Sequence, residues 1–245
     1  VRLGIKPEPV IILAYHRISE RPTGPVPSVT PVEFARQMDY LARAGYRSVG
    51  PDALAAYLRG GELPCRRAVL ITFDDGWADN YTLARPILDA HGFTATIFVV
   101  SSRVGGHGCL TAAQLRALVR AGWTIGAHSV THPHLPVLSP VQAEAEIAVP
   151  RITLSRLIDR PVTAFAYPYG DENDFVRSLV READYTTAFG TRQGLPRPGQ
   201  DHLSVKRLII PRRGGLILLR LAANPWFNPL RRVLDAFANL PPILK

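Results

Sequence analysis

Cysteine is scarce and long apolar runs are missing in this chain of 245 residues. Its two cysteines, Cys65 and Cys109, lie far apart and form no CxxC spacing, so no cysteine-based metal or redox motif is present. One disulfide or two free thiols are equally compatible with the sequence. No window approaches the roughly 18 uninterrupted apolar residues of a membrane-spanning helix. The best stretch, Leu216 to Ala223, is short and carries Arg220. Internal repeats and low-complexity segments are also missing, which argues against a solenoid. No signal peptide is visible, although a chain that opens on Val1 leaves room for an upstream leader or anchor. Acidic residues are the minority, 20 against 29 Lys and Arg, for a formal net charge of +9. Such an excess favours anionic surroundings. The basic residues are dispersed, however, and no nucleic-acid recognition motif interleaves them with aromatics, so no nucleic-acid partner is expected.

The remainder is the composition of a folded domain: 47% hydrophobic and 20% charged. Short β-branched apolar runs alternate with amphipathic stretches. Strands are expected at 10–15, 46–49, 68–73, 94–100, 123–127, 162–167, 185–189 and 208–210. Helices are expected at 31–44, 52–58, 81–91, 111–121, 140–157 and 173–182. In the first helix Phe34, Met38 and Leu41 recur at helical spacing, with Thr30 as N-cap, Pro31 in the first turn and Gly45 as the stop. Strands alternating with helices give βαβ units on a parallel sheet, and about seven of them favour a single-domain distorted (β/α) barrel. Residues 1–213 are expected to form that domain and 214–245 a helical tail.

In a parallel α/β architecture the loops at the C-terminal strand ends carry function. Four polar clusters fall there: Tyr15-His16, Thr72-Phe73-Asp74-Asp75-Gly76, His128-Ser129-Val130-Thr131-His132, and Tyr167-Pro168-Tyr169-Gly170. Adjacent buried carboxylates repel unless a cation compensates. A metal resolves the pair Asp74-Asp75, one carboxylate ligating and the other staying free as a base. His128 and His132, four apart, can reach the same ion. Two imidazoles and a carboxylate leave positions open, as a hydrolytic divalent metal requires. Taken singly, an Asp-Asp-Gly is usually a turn and a His pair is often structural; the combination at strand ends is what points to a metal site. His134, after Pro133, reads as structural.

Together these segments, with Ala14-Tyr15-His16-Arg17-Ile18 and the Tyr-Pro-Tyr-Gly form, resemble the ordered motifs of the polysaccharide deacetylases, carbohydrate esterase family 4, and look closest to the bacterial poly-N-acetylglucosamine deacetylase branch. The resemblance runs from Tyr15 through Arg207. It implies hydrolysis of N-acetyl groups on a poly- or oligosaccharide. Asp74 would be the general base, with Asp75, His128 and His132 holding the metal, Zn²⁺ first and Co²⁺ or Ni²⁺ as alternatives. The backbone N–H of Tyr169 would meet the oxyanion, and Trp77 would either line the sugar groove or pack structurally. A cell-envelope or extracytoplasmic location is the expectation, with a cytoplasmic one left open.

Two positions depart from the family pattern. Ala166 stands where an Arg commonly supports the base, and Arg207 is a candidate to supply that charge from another strand. No late Leu-x-His motif provides the acid that protonates the leaving amine; His16 and His202 are the candidates. In the tail, Leu230, Val233, Leu234 and Phe237 follow amphipathic spacing, and Arg231 and Arg232 with Trp226 and Phe227 would suit peripheral membrane contact. The oligomeric state is not legible. Competing readings are deacetylation of a lipid-linked sugar or small amide, and a non-catalytic carbohydrate-binding relative.

Overall fold

The computed structural model describes residues 10–22 and 24–223. The strands are β1 (Ile11–Tyr15), β2 (Arg17–Ile18), β3 (Ser28–Val29), β4 (Arg47–Ser48), β5 (Ala68–Phe73), β6 (Thr96–Val99), β7 (Thr124–Ala127), β8 (Ala164–Ala166), β9 (Thr187–Phe189) and β10 (Leu208–Ile209). The helices are α1 (Pro31–Arg43), α2 (Pro51–Leu58), α3 (Arg85–Ala90), α4 (Ala112–Arg120), α5 (Pro140–Ile158), α6 (Asp174–Glu182) and α7 (Gly215–Ala223). The main sheet is parallel and runs β10-β1-β5-β6-β7-β8-β9, with β4 also pairing β5. Past β9, Val205 pairs in parallel with Phe189, while Leu208 pairs with Leu13 of β1. One short segment therefore ties both ends of the sheet and curls it into the expected distorted barrel.

Every residue of β1 and β5 is buried, as strands covered on both faces must be. Period-two alternation divides them. Ile11, Leu13, Tyr15, Val69, Ile71 and Phe73 join the larger core beneath the helices. Ile12, Leu70, Phe98, Ala166, Phe189 and Val205 fill the barrel interior. By the same alternation Thr72 and Asp74 follow Leu70 on the interior side. Gly126 belongs to this packing, since a Cβ there would sit 2.5 Å from the Phe98 ring.

The helices begin where their caps place them. Thr30 Oγ1 accepts from Glu33 N at 3.2 Å, Pro31 opens α1, and Gly45 turns the chain at φ +77°. Thr111 and Gln114 form a reciprocal capping box on α4. The helix expected at 81–91 starts instead as a π-turn over Asn80–Ala84 and continues as α3. Helix α7 is the described part of the tail. It buries Leu219 and Ala222, and its Arg220 lies over the Tyr40 ring of α1. The amphipathic segment 230–240 and its membrane-facing candidates lie outside the described residues. Cys65 and Cys109 are unpaired, so the disulfide alternative is not realised.

Candidate active site

The C-terminal ends of β1, β5, β7 and β8 deliver the four polar clusters to one cleft of about 880 Å³. His16, Asp74, Asp75, Trp77, His128, His132 and Tyr169 all border it. His202 does not; its carbonyl accepts from Ala188 N at 2.8 Å.

Asp75, His128 and His132 offer one ligand atom each, all within 4.8 Å of one another. Asp75 Oδ1 lies 3.4 Å from His132 Nε2 and 3.8 Å from His128 Nε2. Two ligands at tetrahedral angles on one ion stand about 3.4 Å apart, given metal–ligand bonds near 2.1 Å. The group therefore fits a divalent metal in both donor chemistry and spacing. His128 Nδ1 is 2.7 Å from the carbonyl of Ala166, which fixes the ring so that Nε2 faces the carboxylate. Asp75 has its other oxygen bound by Trp77 Nε1 at 3.0 Å, so Trp77 both borders the cleft and orients a ligand.

The loop between the two histidines is held from α5. Glu146 accepts from Val130 N at 2.8 Å, from Thr131 N at 2.9 Å and from the Thr131 hydroxyl at 2.7 Å. Ser129 Oγ accepts from His132 N at 2.8 Å. Backbone conformations that L-residues rarely adopt concentrate here: φ is +74° at Asp75, +62° at Ser129, +70° at His132 and +59° at Tyr169. Strain of this kind persists where surrounding contacts over-determine the backbone. Glu146 was invisible to motif reading because a lone Glu in a helix resembles a solvated one.

Asp74 is the second carboxylate. Burial alone would raise its pKa, but the Arg207 guanidinium, with smaller help from His128 and His16, holds it well below the usual carboxylate range. Arg207 Nη1 and Nη2 bind the two Asp74 oxygens at 2.7 and 2.8 Å. The guanidinium also donates to Thr72 Oγ1 at 3.1 Å and to the carbonyl of Gly190 at 3.0 Å, and its carbon lies 5.6 and 5.9 Å from the centroids of the Phe98 and Phe189 rings. Arg207 thus stands where Ala166 leaves no charge, and Ala166 contributes its carbonyl to His128 instead.

The histidines respond to burial. It pushes His128 below its ordinary value, against the opposing pull of Asp74 and Asp75. It brings His132 down to about 4, with the neighbouring His128 as the second cause. Both are neutral near pH 7, the form that ligates metal.

His16 sits at the mouth of β1. Its carbonyl accepts from Asn80 Nδ2 at 2.9 Å, and its Nδ1 is buried without a hydrogen-bond partner. Asp79 anchors the same junction through Arg17 Nε at 2.8 Å and Ile18 N at 3.1 Å. Asp79 and Asn80 carried no sequence signal, because their role depends on β1 lying beside the π-turn. Across the cleft Tyr169 is 53% exposed, and its ring stacks on His134 with centroids 4.0 Å apart and meets His132 edge-on. His134 in turn hydrogen-bonds Asp171. A Cβ on Gly170, at φ +75°, would fall 2.0 Å from Thr191 Oγ1, so this turn tolerates no side chain there.

A curled parallel sheet carries at its strand ends an Asp-His-His group that could hold a metal ion and a second, Arg-locked aspartate, and the family model for polysaccharide deacetylases matches residues 62–188. The chain belongs to the polysaccharide deacetylase family. It is 30% identical over 203 residues to YxkH of Bacillus subtilis (strain 168), itself assigned to the polysaccharide deacetylases, covering 83% of this chain and 72% of that one. It is 25% identical over 200 residues to the poly-β-1,6-N-acetyl-D-glucosamine N-deacetylase of Staphylococcus epidermidis, covering 75% and 68%. Among solved structures, the deacetylase PplD of Streptococcus pyogenes, in complex with acetate, superposes with a TM-score of 0.84 at 27% identity, covering 89% of this chain and all of that one.

Proposed function

We propose that this polysaccharide deacetylase is a divalent-metal-dependent hydrolase that removes N-acetyl groups from an N-acetylhexosamine-containing poly- or oligosaccharide. The observation carrying the reading is the pairing of a metal-competent Asp75-His128-His132 group with Asp74, a buried carboxylate kept ionised by Arg207. The similarity to a poly-N-acetylglucosamine deacetylase supports the choice of sugar. A divalent ion, Zn²⁺ in the first place with Co²⁺ or Ni²⁺ as alternatives, would supply Lewis acidity toward the acetyl carbonyl and toward water.

The chain's own residues account for the proton traffic. Asp74 accepts the proton released by the attacking water. Arg207 keeps that carboxylate unprotonated and fixes both of its oxygens before the reaction begins. The backbone N–H of Tyr169, presented by its left-handed turn, faces the developing oxyanion; donors of this type contribute about 3 kcal/mol. His16 protonates the amine as the C–N bond breaks, releasing acetate. Its unpartnered Nδ1 and its proximity to Asp74 support this assignment over His202. Residues 1–213 constitute the catalytic unit in this reading; of the tail 214–245, the described helix α7 packs on α1 through Arg220 and Tyr40.

The test is acetate release from N-acetylglucosamine oligomers by the full chain, with and without chelator, for the parent and Asp74→Asn. Chelator-sensitive release that disappears in the variant while metal still binds is the expected result. A folded, metal-loaded parent that releases nothing from any such oligomer would overturn the reading in favour of a different amide or of carbohydrate binding without turnover.

A further inference from the structure

Beyond the motif residues, one wall of the cleft is made by the segment 101–110, and it is built rigidly. Ser101 N and Ser102 N donate to the carbonyls of Ser129 and Val130, fastening the segment to the histidine loop. Ala78 N and Leu110 N donate to the carbonyls of Gly108 and Gly76, and Trp77 pairs with Cys109. Arg103 and His107 are the basic side chains that this wall presents to the cleft. Arg103 is partly buried, and its charge is felt at the Cys109 thiol, where it opposes the upward push of burial.

A charge inventory of the cleft singles Arg103 out. Asp74 is neutralised by Arg207. Asp75 faces the two neutral histidines and is the carboxylate a divalent ion would take. Arg17, stacked on Trp77 on the same side, is paired with Asp79. Arg103, the arginine that borders this cleft, has no side-chain hydrogen-bond or ion-pair partner among the described residues. With a divalent ion in place the cleft would carry two positive charges in excess, and attack by water, whose proton passes to Asp74, leaves that sum unchanged. A neutral sugar brings no charge to answer it. A partly buried guanidinium is poorly screened by salt, and its planar fork matches carboxylate and phosphate oxygens.

We infer that Arg103 is a specificity-determining residue that binds an anionic substituent, a carboxylate or a phosphate ester, carried by the glycan close to the acetamide that is cleaved. The inference rests on the proposed deacetylase reading and narrows its substrate class to acidic N-acetylated glycans.

The experiment compares three N-acetylglucosamine oligomers of equal length: a neutral one, one bearing an ether-linked carboxylate on the adjacent sugar, and one bearing a phosphate monoester there. Metal-loaded parent, Arg103→Gln and Arg103→Lys are assayed on each for kcat and KM. The parent is expected to favour at least one anionic oligomer by tenfold or more in kcat/KM, mainly through KM, and which oligomer wins identifies the anion. Arg103→Gln lowers kcat/KM on that oligomer about tenfold more than on the neutral one, and Arg103→Lys retains part of the preference. Equal rates on all three oligomers in the parent would overturn the inference while leaving the deacetylase reading intact. So would an Arg103→Gln variant that loses neutral and anionic activity in equal measure. Absence of acetate from all three removes the deacetylase reading and the inference with it.

Discussion

Arg207 and Asp74 face each other across 133 positions of sequence and meet through two parallel hydrogen bonds in the barrel interior. Arg207 has no solvent exposure, and Asp74 is 3% exposed. Removing one member of such a pair strands a buried charge, which typically costs 3–5 kcal/mol. Arg207→Met is therefore expected to lower unfolding free energy by about that amount in urea titration, and Asp74 to take up a proton at a pH where the parent carboxylate is ionised. Acetate release should fall by about 100-fold or more even at temperatures where the variant stays folded. Arg207→Lys, which keeps the charge and loses the fork, should fall between the two.

Glu146 touches no metal ligand side chain, yet it holds the loop that aims His128 and His132. Outer contacts of this kind typically change metal affinity 10–100-fold. Glu146→Ala is expected to weaken Zn²⁺ binding within that range, read by competition with a chromophoric chelator, with a smaller effect on thermal stability. Unchanged affinity would show that Ser129 and the backbone strain suffice.

His16 as the acid predicts a dependence on the leaving group. His16→Gln should lower kcat on an N-acetylated sugar by about 10²–10⁴. It should leave hydrolysis of an aryl acetate, whose leaving group needs no proton, within a few-fold of the parent. Equal losses on both substrates would remove His16 from that role.

The metal-free protein should lose stability in acid in a defined window. His128 and His132 are held neutral when folded, below the ordinary histidine value, and His132 titrates at about 4. The unfolded chain thus binds more protons than the native state as pH falls from about 6.5 toward 4. Stability is full above that window and declines through it, by on the order of 2–3 kcal/mol for His132. Asp74, whose folded value is also lowered, extends the loss further into acid. Thermal melting of chelator-treated protein from pH 8 to pH 4 checks the sign; melting that rises on acidification would refute it.

Much of this was readable from local pattern. Strand positions followed from short β-branched runs, and the Asp-His-His group from polar residues placed just after them, because period-two alternation and strand-end chemistry are local properties. The contribution of Arg207 was legible only as an option, since its placement beside Asp74 is set by the pairing of β10 with β1 at the closure of the sheet. Ala166 looked like a missing function and proved to be an acceptor for His128, a backbone role that side-chain identity does not encode. Glu146, Asp79 and Asn80 act through partners on other elements. That His16 borders the cleft and His202 does not followed only from which strand ends share a mouth.

The segment that ties β9 to β1 also sets an order of events for a chain made from its N-terminus. Asp74 emerges from the ribosome long before Arg207. Until Arg207 and β10 are delivered, the carboxylate has no counter-charge to justify its burial, so the interior cannot close around it as an ion. Docking of residues 205–209 therefore serves as the completion step, and growing chains that stop short of it are expected to be inert and prone to capture by chaperones.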